Sequence, residues 1–277
     1  MIPAPFEYRR ADTVDEAIQA LSGEPDAKLL AGGHSLLPLM KLRLAAPTLL
    51  VDLRKVPGLR GVQRDNGQWR IGAMTRHADM QGNTDLGPVG QATALIADQQ
   101  VRNRGTIGGS LAHGDPASDL PTVCLALDAV MVAQGPNGER TIDAKDFFQG
   151  FFDTALGPDE ILTEIRVPKV GSAGWSYLKF HQRALDWATV GVAAVVGKSD
   201  GTIQGSRIGL TNMGQTPLRA SAAEAALAGA PRDGVKAAAE KADEGTDPPG
   251  DTWASPDFRR HLARVLTERA VEEALAR

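Results

Sequence analysis

The chain has 277 residues, room for one large domain or two modest ones at roughly 100–200 residues each. A content of 42% hydrophobic and 23% charged residues excludes global disorder, and 30 glycines and 17 prolines without a three-residue period exclude collagen. Aromatics at 5% and a net charge of −4 argue against a stacking platform for single strands and against a general nucleic-acid binder, leaving only a local basic patch open.

Phe6–Tyr8 is predicted to open the chain as a short strand. Thr13 and Glu16 form a capping box that starts a helix running to about Leu21. Lys28–Ala31 reads as a strand entering Gly32-Gly33, and Leu49–Leu53 as the next, so the opening is a small β-α-β unit. Trp69–Gly72 is a strand, Thr75 is placed to cap a short helix, and Val89 to about Val101 reads as one helix. A glycine-rich stretch at 105–109 and a polar loop to Pro121 precede a helix over Leu120–Leu127. Val130–Ala133 and Arg140–Ile142 make a hairpin around Gly135-Pro136-Asn137-Gly138. Ile161–Val167 is a strand ended by Pro168, and Pro168–Gly174 is the expected domain boundary.

Beyond it, Ser176–Gln182, Val190–Lys198 and Ile203–Asn212 read as strands joined by glycine turns. Three helices close the chain. One opens at a capping box of Ser221 and Glu224, one is centred near Ala238, and one runs from about Asp257 to Ala276. Gly245–Gly250 is a Pro-rich loop. Strands followed by helices indicate an α+β second domain.

A lone cysteine, Cys124, excludes an internal disulfide and any cysteine-ligated zinc or iron–sulfur site within this sequence. The histidines at 34, 77, 113, 181 and 261 show no metal-binding spacing. No apolar run approaches the length of a membrane span, and the opening MIPAPFEYRR lacks a signal-peptide core, so the chain is expected in the cytoplasm.

Two glycine pairs carry the functional signal. Ala31-Gly32-Gly33-His34-Ser35 follows a strand. Adjacent glycines let backbone N–H groups approach a phosphate oxygen, and Ser35 adds a hydroxyl. The string is neither a P-loop nor a Rossmann fingerprint, and taken alone it is equally a plain turn. Thr106-Ile107-Gly108-Gly109-Ser110 repeats the pattern. Asp119 can accept bonds from ligand hydroxyls or simply cap the helix that follows it. Two such loops together suit the two faces of a dinucleotide pyrophosphate.

The strings AGGHSLLPLMKLRLA (31–45) and TIGGSLAHGDPASDLP (106–121) resemble the FAD-binding medium subunit of molybdenum hydroxylases, above all the carbon monoxide dehydrogenase type. Related forms serve xanthine dehydrogenase and dehydrogenases of nicotine and other N-heterocycles. The resemblance implies an α+β fold: an FAD-binding domain of the vanillyl-alcohol-oxidase type over 1–170, with subdomains of about 1–57 and 58–170, and a smaller α+β domain over 175–277. It implies that Ala31, Gly32, Gly33, His34, Ser35 and Leu36, with Thr106, Ile107, Gly108, Gly109 and Ser110, line the FAD pyrophosphate and its surroundings. Ile96 and Leu162 match apolar positions at the flavin, Asp119 an aspartate that hydrogen-bonds the cofactor, and Lys179 a lysine that contacts it. Asp186-Trp187 resembles a motif with Tyr after the Asp, packed on the ring; Trp can stack there but lacks the phenolic hydroxyl.

The same resemblance implies a large partner with a molybdopterin-type molybdenum cofactor and a small partner with two [2Fe-2S] clusters, commonly as a dimer of heterotrimers. Electrons would pass through FAD to an external acceptor such as a quinone at the inner face of the membrane, and no side chain here is expected to act as acid or base. The alternatives are a medium subunit of a nicotine, N-heterocycle or xanthine-type dehydrogenase and, more remotely, a free-standing FAD oxidase or a non-enzymatic FAD-binding module. His34 and His113 can be merely structural. Lys41 and Arg43 are expected on a solvated face or against a partner. Arg102 and Arg104 can balance phosphate charge or face solvent, and Cys124 is expected to be an inert core thiol.

Overall fold

The computed structural model describes residues 1–199 and 201–277. The chain folds as three sheet-based units in sequence. The first holds β1 (Glu7–Arg10), α1 (Val14–Gly23), β2 (Ala27–Leu30), α2 (Leu36–Lys41) and β3 (Leu49–Asp52). Its strands run parallel in the order β1-β3-β2, with Glu7 and Ala27 both paired to Leu49. Thr13 caps α1 by accepting the Glu16 N–H at 3.1 Å, while the Glu16 carboxylate reaches back to the N–H of Asp12. Ala17, Ile18 and Leu21 of α1 bury against Leu49 and Val51.

The second unit is a five-stranded antiparallel sheet with helices inserted in its middle. Its strands are β4 (Val62–Asp65), β5 (Gln68–Gly72), β6 (Val130–Gly135), β7 (Gly138–Asp143) and β10 (Ile161–Pro168), in the order β4-β5-β10-β6-β7. Between β5 and β6 lie α3 (His77–Met80), α4 (Pro88–Ala94), α5 (Gln99–Arg102), α6 (Ile107–His113) and α7 (Asp119–Ala126). The short α8 (Ala144–Phe147) and the small hairpin of β8 (Phe148–Gly150) and β9 (Asp153–Thr154) precede β10. All eight residues of α7 are buried. This helix lies between the second sheet and the third, close enough that a Cβ on Gly209 would sit 2.7 Å from the Thr122 carbonyl oxygen.

The third unit has β11 (Gly174–Phe180), β12 (Val190–Ser199), β13 (Thr202–Thr211) and β14 (Leu218–Arg219) in antiparallel sequence order, followed by α9 (Ser221–Leu227), α10 (Val235–Ala239) and α11 (Pro256–Ala276). Residues 190–196 of β12 are buried on both faces, which explains their unbroken apolar run. Val192, Ala194 and Val196 join Leu262, Leu266 and Ala270 of α11 in one core; Ala193 and Val195, with Tyr177, belong to the core of the second unit. The last two units therefore share a packed face. No helix among the described residues is long and apolar enough to cross a membrane.

Several local expectations are corrected. Thr75 caps no helix: its hydroxyl is engaged with the N–H and carbonyl of Gly61, and α3 starts after Arg76. The helix expected over 89–101 is two, because Ala97 turns left-handed (φ +39°) and Asp98 caps a new start by accepting the Val101 N–H at 2.8 Å. The stretch read as glycine-rich segment and polar loop contains α6, capped by Thr106 and ended by Gly114 at φ +66°. Ser221 is not a cap; its supposed partner Glu224 instead accepts from the Ile208 N–H and from Arg219.

Candidate functional site

The first glycine string leaves β2 and turns into α2. A Cβ on Gly32 would lie 2.4 Å from the Arg104 carbonyl oxygen and 2.8 Å from the Gly105 Cα, so the two glycine strings touch backbone to backbone. Gly33 adopts φ +82°, a conformation that glycine takes without steric cost. Among the described residues, no acceptor lies within hydrogen-bond reach of the N–H groups of Gly32, Gly33, His34 or Ser35. The Ser35 side chain makes no capping bond, His34 is exposed, and Ala31, Ser35 and Leu36 are half-buried. The segment is a row of free donors on an accessible shelf.

The second string differs from the nest that its glycines suggest. The N–H of Ile107 donates to Thr75 and that of Gly108 to Ala73, while those of Gly109 and Ser110 return to Thr106. Gly108 is glycine for packing, since its Cβ would fall 2.5 Å from that of Ala73. A Cβ on Gly109 would meet the Thr106 hydroxyl at 2.8 Å and the Ala31 Cβ at 3.5 Å, which places it beside the first string. Thr106 is buried with its hydroxyl accepting the Gly109 N–H, and the half-buried Ser110 is the more accessible hydroxyl of this string.

Behind these strings lies a buried polar cluster. Asp119 is the first residue of α7 rather than its cap, which is Ser118. Its carboxylate accepts from the Tyr177 hydroxyl at 2.5 Å and from Lys179 Nζ at 3.1 Å. The side chains of Lys179 and Asp119 are only 2% and 5% exposed, so each neutralises the other's charge out of reach of water. Burial pushes the Asp119 carboxyl up, opposed by the Lys179 charge and the Tyr177 bond; burial and then the Asp119 charge push the Tyr177 hydroxyl well above its ordinary range. Lys179 also donates to the Leu95 carbonyl at 3.2 Å. Arg102 holds the next two carbonyls, Ile96 at 2.6 Å and Ala97 at 2.7 Å. Together the two cations fix the turn that presents Ile96. Arg102 is thus committed to this turn, whereas Arg104 is exposed.

The remaining positions divide. Leu162 is buried in the core of the second unit, on the strand whose Thr163 carbonyl accepts the Ala73 N–H. Trp187 lies on the loop between β11 and β12 and is 57% exposed. His113 packs on the Phe152 ring at 4.8 Å, and burial lowers its pKa. Lys41 is exposed, and Arg43 donates to the Ile2 carbonyl. Cys124 is fully buried, its thiol pushed up to about 12, as expected of an inert core residue. Tyr177 and His77 escaped the sequence reading. The ring of His77 packs under Gly105, and its buried Nδ1 has no hydrogen-bond partner among the described residues. Neither residue sits in a recognisable string, since their partners are 58 and 28 positions away.

These features fit a bound dinucleotide cofactor. Unengaged N–H donors on a contour that only glycine can follow, with no carboxylate in 31–36 or 106–110, are the chemistry that a diphosphate requires. Residues 4–170 match the FAD binding domain in molybdopterin dehydrogenase, and residues 175–274 match the CO dehydrogenase flavoprotein C-terminal domain. The chain belongs to the family of FAD-binding subunits of molybdenum hydroxylases. Within it, this is a medium subunit of the carbon monoxide dehydrogenase type. It is 43% identical to the carbon monoxide dehydrogenase medium chain of Hydrogenophaga pseudoflava, covering 100% of this chain and 99% of that one. It is 38% identical to subunit alpha of the 6-hydroxypseudooxynicotine dehydrogenase complex of Paenarthrobacter nicotinovorans, over 100% and 97%. The solved carbon monoxide dehydrogenase of H. pseudoflava lacking the Mo-pyranopterin moiety superposes with a TM-score of 0.96 at 45% identity, covering 100% of this chain and 99% of that chain.

Proposed function

We propose that this chain carries the flavin of an aerobic carbon monoxide dehydrogenase and links its partners to an external electron acceptor. The observation that carries this reading is the full-length 43% identity to a carbon monoxide dehydrogenase medium chain. Bound FAD supplies the redox chemistry, taking up electrons and giving them to the acceptor. The chain's own residues bind and orient it. The N–H groups of Gly32, Gly33, His34 and Ser35 hold phosphate oxygens, assisted by the hydroxyls of Ser35, Thr106 and Ser110. Ile96 and Leu162 supply apolar contact, Asp119 and Lys179 the polar edge, and Trp187 covers the ring and excludes water. No side chain need move a proton.

In this reading residues 1–170 and 175–277 are the two functional domains. The large partner holds the molybdenum cofactor and oxidises the substrate, the small partner holds two [2Fe-2S] clusters, and two such trimers pair. The lone Cys124, fully buried, leaves cluster ligation to other chains. The complex works in the cytoplasm, with a quinone at the inner membrane face as acceptor.

The test is the native complex purified through a tag on this chain. Stoichiometric FAD, molybdenum and iron, with bleaching of the visible spectrum by carbon monoxide, are expected. The same cofactors without bleaching would favour the second reading, an N-heterocycle dehydrogenase, which the 38% identity to the pseudooxynicotine enzyme's subunit supports. FAD without molybdenum or iron would point to a free-standing oxidase, and absence of FAD would overturn the proposal.

A further inference from the structure

Asp119 and Trp187 stand on opposite sides of the junction between the second and third units, and one residue bonds to the segments on which both lie. Thr211 ends β13, and its hydroxyl donates to that of Thr122 on α7 at 2.8 Å. Asn212 follows with φ +61°, in the left-handed region that asparagine tolerates better than most side chains. In this conformation its backbone N–H donates to the Pro116 carbonyl at 2.9 Å, three residues before Asp119. Its side-chain Nδ2 donates to the Ala188 carbonyl at 2.8 Å, immediately after Trp187.

The loop that carries Trp187 is otherwise tied to the third unit. The Thr189 N–H closes its base on the Phe180 carbonyl at 2.8 Å, and Arg183 and Asp186 fold its tip through reciprocal bonds. The buried guanidinium of Arg259 on α11 donates to the Thr189 carbonyl. An indole that is 57% exposed, flanked by bonds on both sides, is preorganised to meet a flat partner. Asn212 connects that platform to the segment leading from the second glycine string into Asp119.

We propose that Asn212 is a positioning residue for the flavin: it sets Trp187 against the 114–119 segment and thereby slows loss of FAD. This rests on the reading above that Trp187 covers the ring. The test uses the native complex. Asn212→Gly keeps the left-handed backbone, and with it the Pro116 bond, but removes the side-chain amide. Asn212→Asp keeps the shape and turns a carboxylate toward the Ala188 carbonyl. In both variants, amide hydrogen exchange over 181–189 should rise about ten-fold, the size expected for one lost hydrogen bond, while exchange in β12 stays unchanged. FAD release should accelerate to the rate of Trp187→Ala, and the double variant Asn212→Gly/Trp187→Ala should release it no faster than Trp187→Ala alone. Unchanged exchange over 181–189, or multiplying effects in the double variant, would overturn the proposal. If Trp187→Ala retains FAD like the parent, the proposal fails through the reading beneath it; that failure is distinguishable because exchange in the loop would still rise.

Discussion

His77 shows how a site is stiffened from below. Its ring fills the space that forces residue 105 to be glycine, and Gly105 in turn lies against Gly32. Burial first, then the charges of Arg102 and His34, lower the His77 pKa from 6.5 to about 4. The unfolded chain takes up a proton near pH 6.5, while the folded chain resists until about pH 4. The unfolded state therefore binds more protons in that window, and acidification destabilises the fold. The contribution is complete above pH 6.5 and falls by up to about 3 kcal/mol on the way to pH 4. Replacing His77 by Phe keeps a flat ring and removes the titration. Thermal unfolding of both chains between about pH 4 and 7 should give a shallower acid limb for the variant, and equal limbs would count against a neutral buried imidazole.

At the scale of elements, the two glycine strings are not equivalent. The first offers its N–H groups outward; the second spends most of its own on Ala73, Thr75 and Thr106. Gly32→Ala would force a Cβ into the Arg104 carbonyl and separate the strings, so the purified complex should lose most of its FAD while molybdenum and iron stay near stoichiometric. Full FAD content in that variant would show that the backbone contact is dispensable. Much of this was legible in the sequence: the parallel opening unit, the 130–143 hairpin and the three long C-terminal strands follow from period and turn residues. Two of the misreadings share a physical cause. Thr75 and Glu224 carry the right chemistry for capping, but tertiary partners engage them: Gly61 the first, and the Ile208 N–H with Arg219 the second. Local spacing cannot register such competition. The two glycine pairs stand out as strings, but what requires glycine there, the Arg104 carbonyl against residue 32 and Ala73 against residue 108, is tertiary; the Asp119–Lys179 pair was legible only as two separate residues.

At the scale of the molecule, the link at 168–174 separates the chain in sequence more than in space. Tyr177, Ala193 and Val195 of the third unit sit in the core of the second. A Cβ on Gly174 would overlap the Ala274 carbonyl oxygen at 1.7 Å, so the end of α11 rests on the backbone where β11 begins. Proteolytic cutting within 168–174 should leave two fragments that co-elute under native conditions and part only in denaturant; separation in buffer would contradict a shared core. The crossing bonds also bear on how such a chain can change over generations. A recombinant gene joining the first 170 residues of one relative to the remainder of another inherits Asp119 from one parent and the residue opposite it from the other. Unless the newcomer supplies a cation at 179, it leaves a carboxylate stranded without water or counter-charge, a loss of about 3–5 kcal/mol. Exchange of halves is thus restricted to parents matched at a few buried positions.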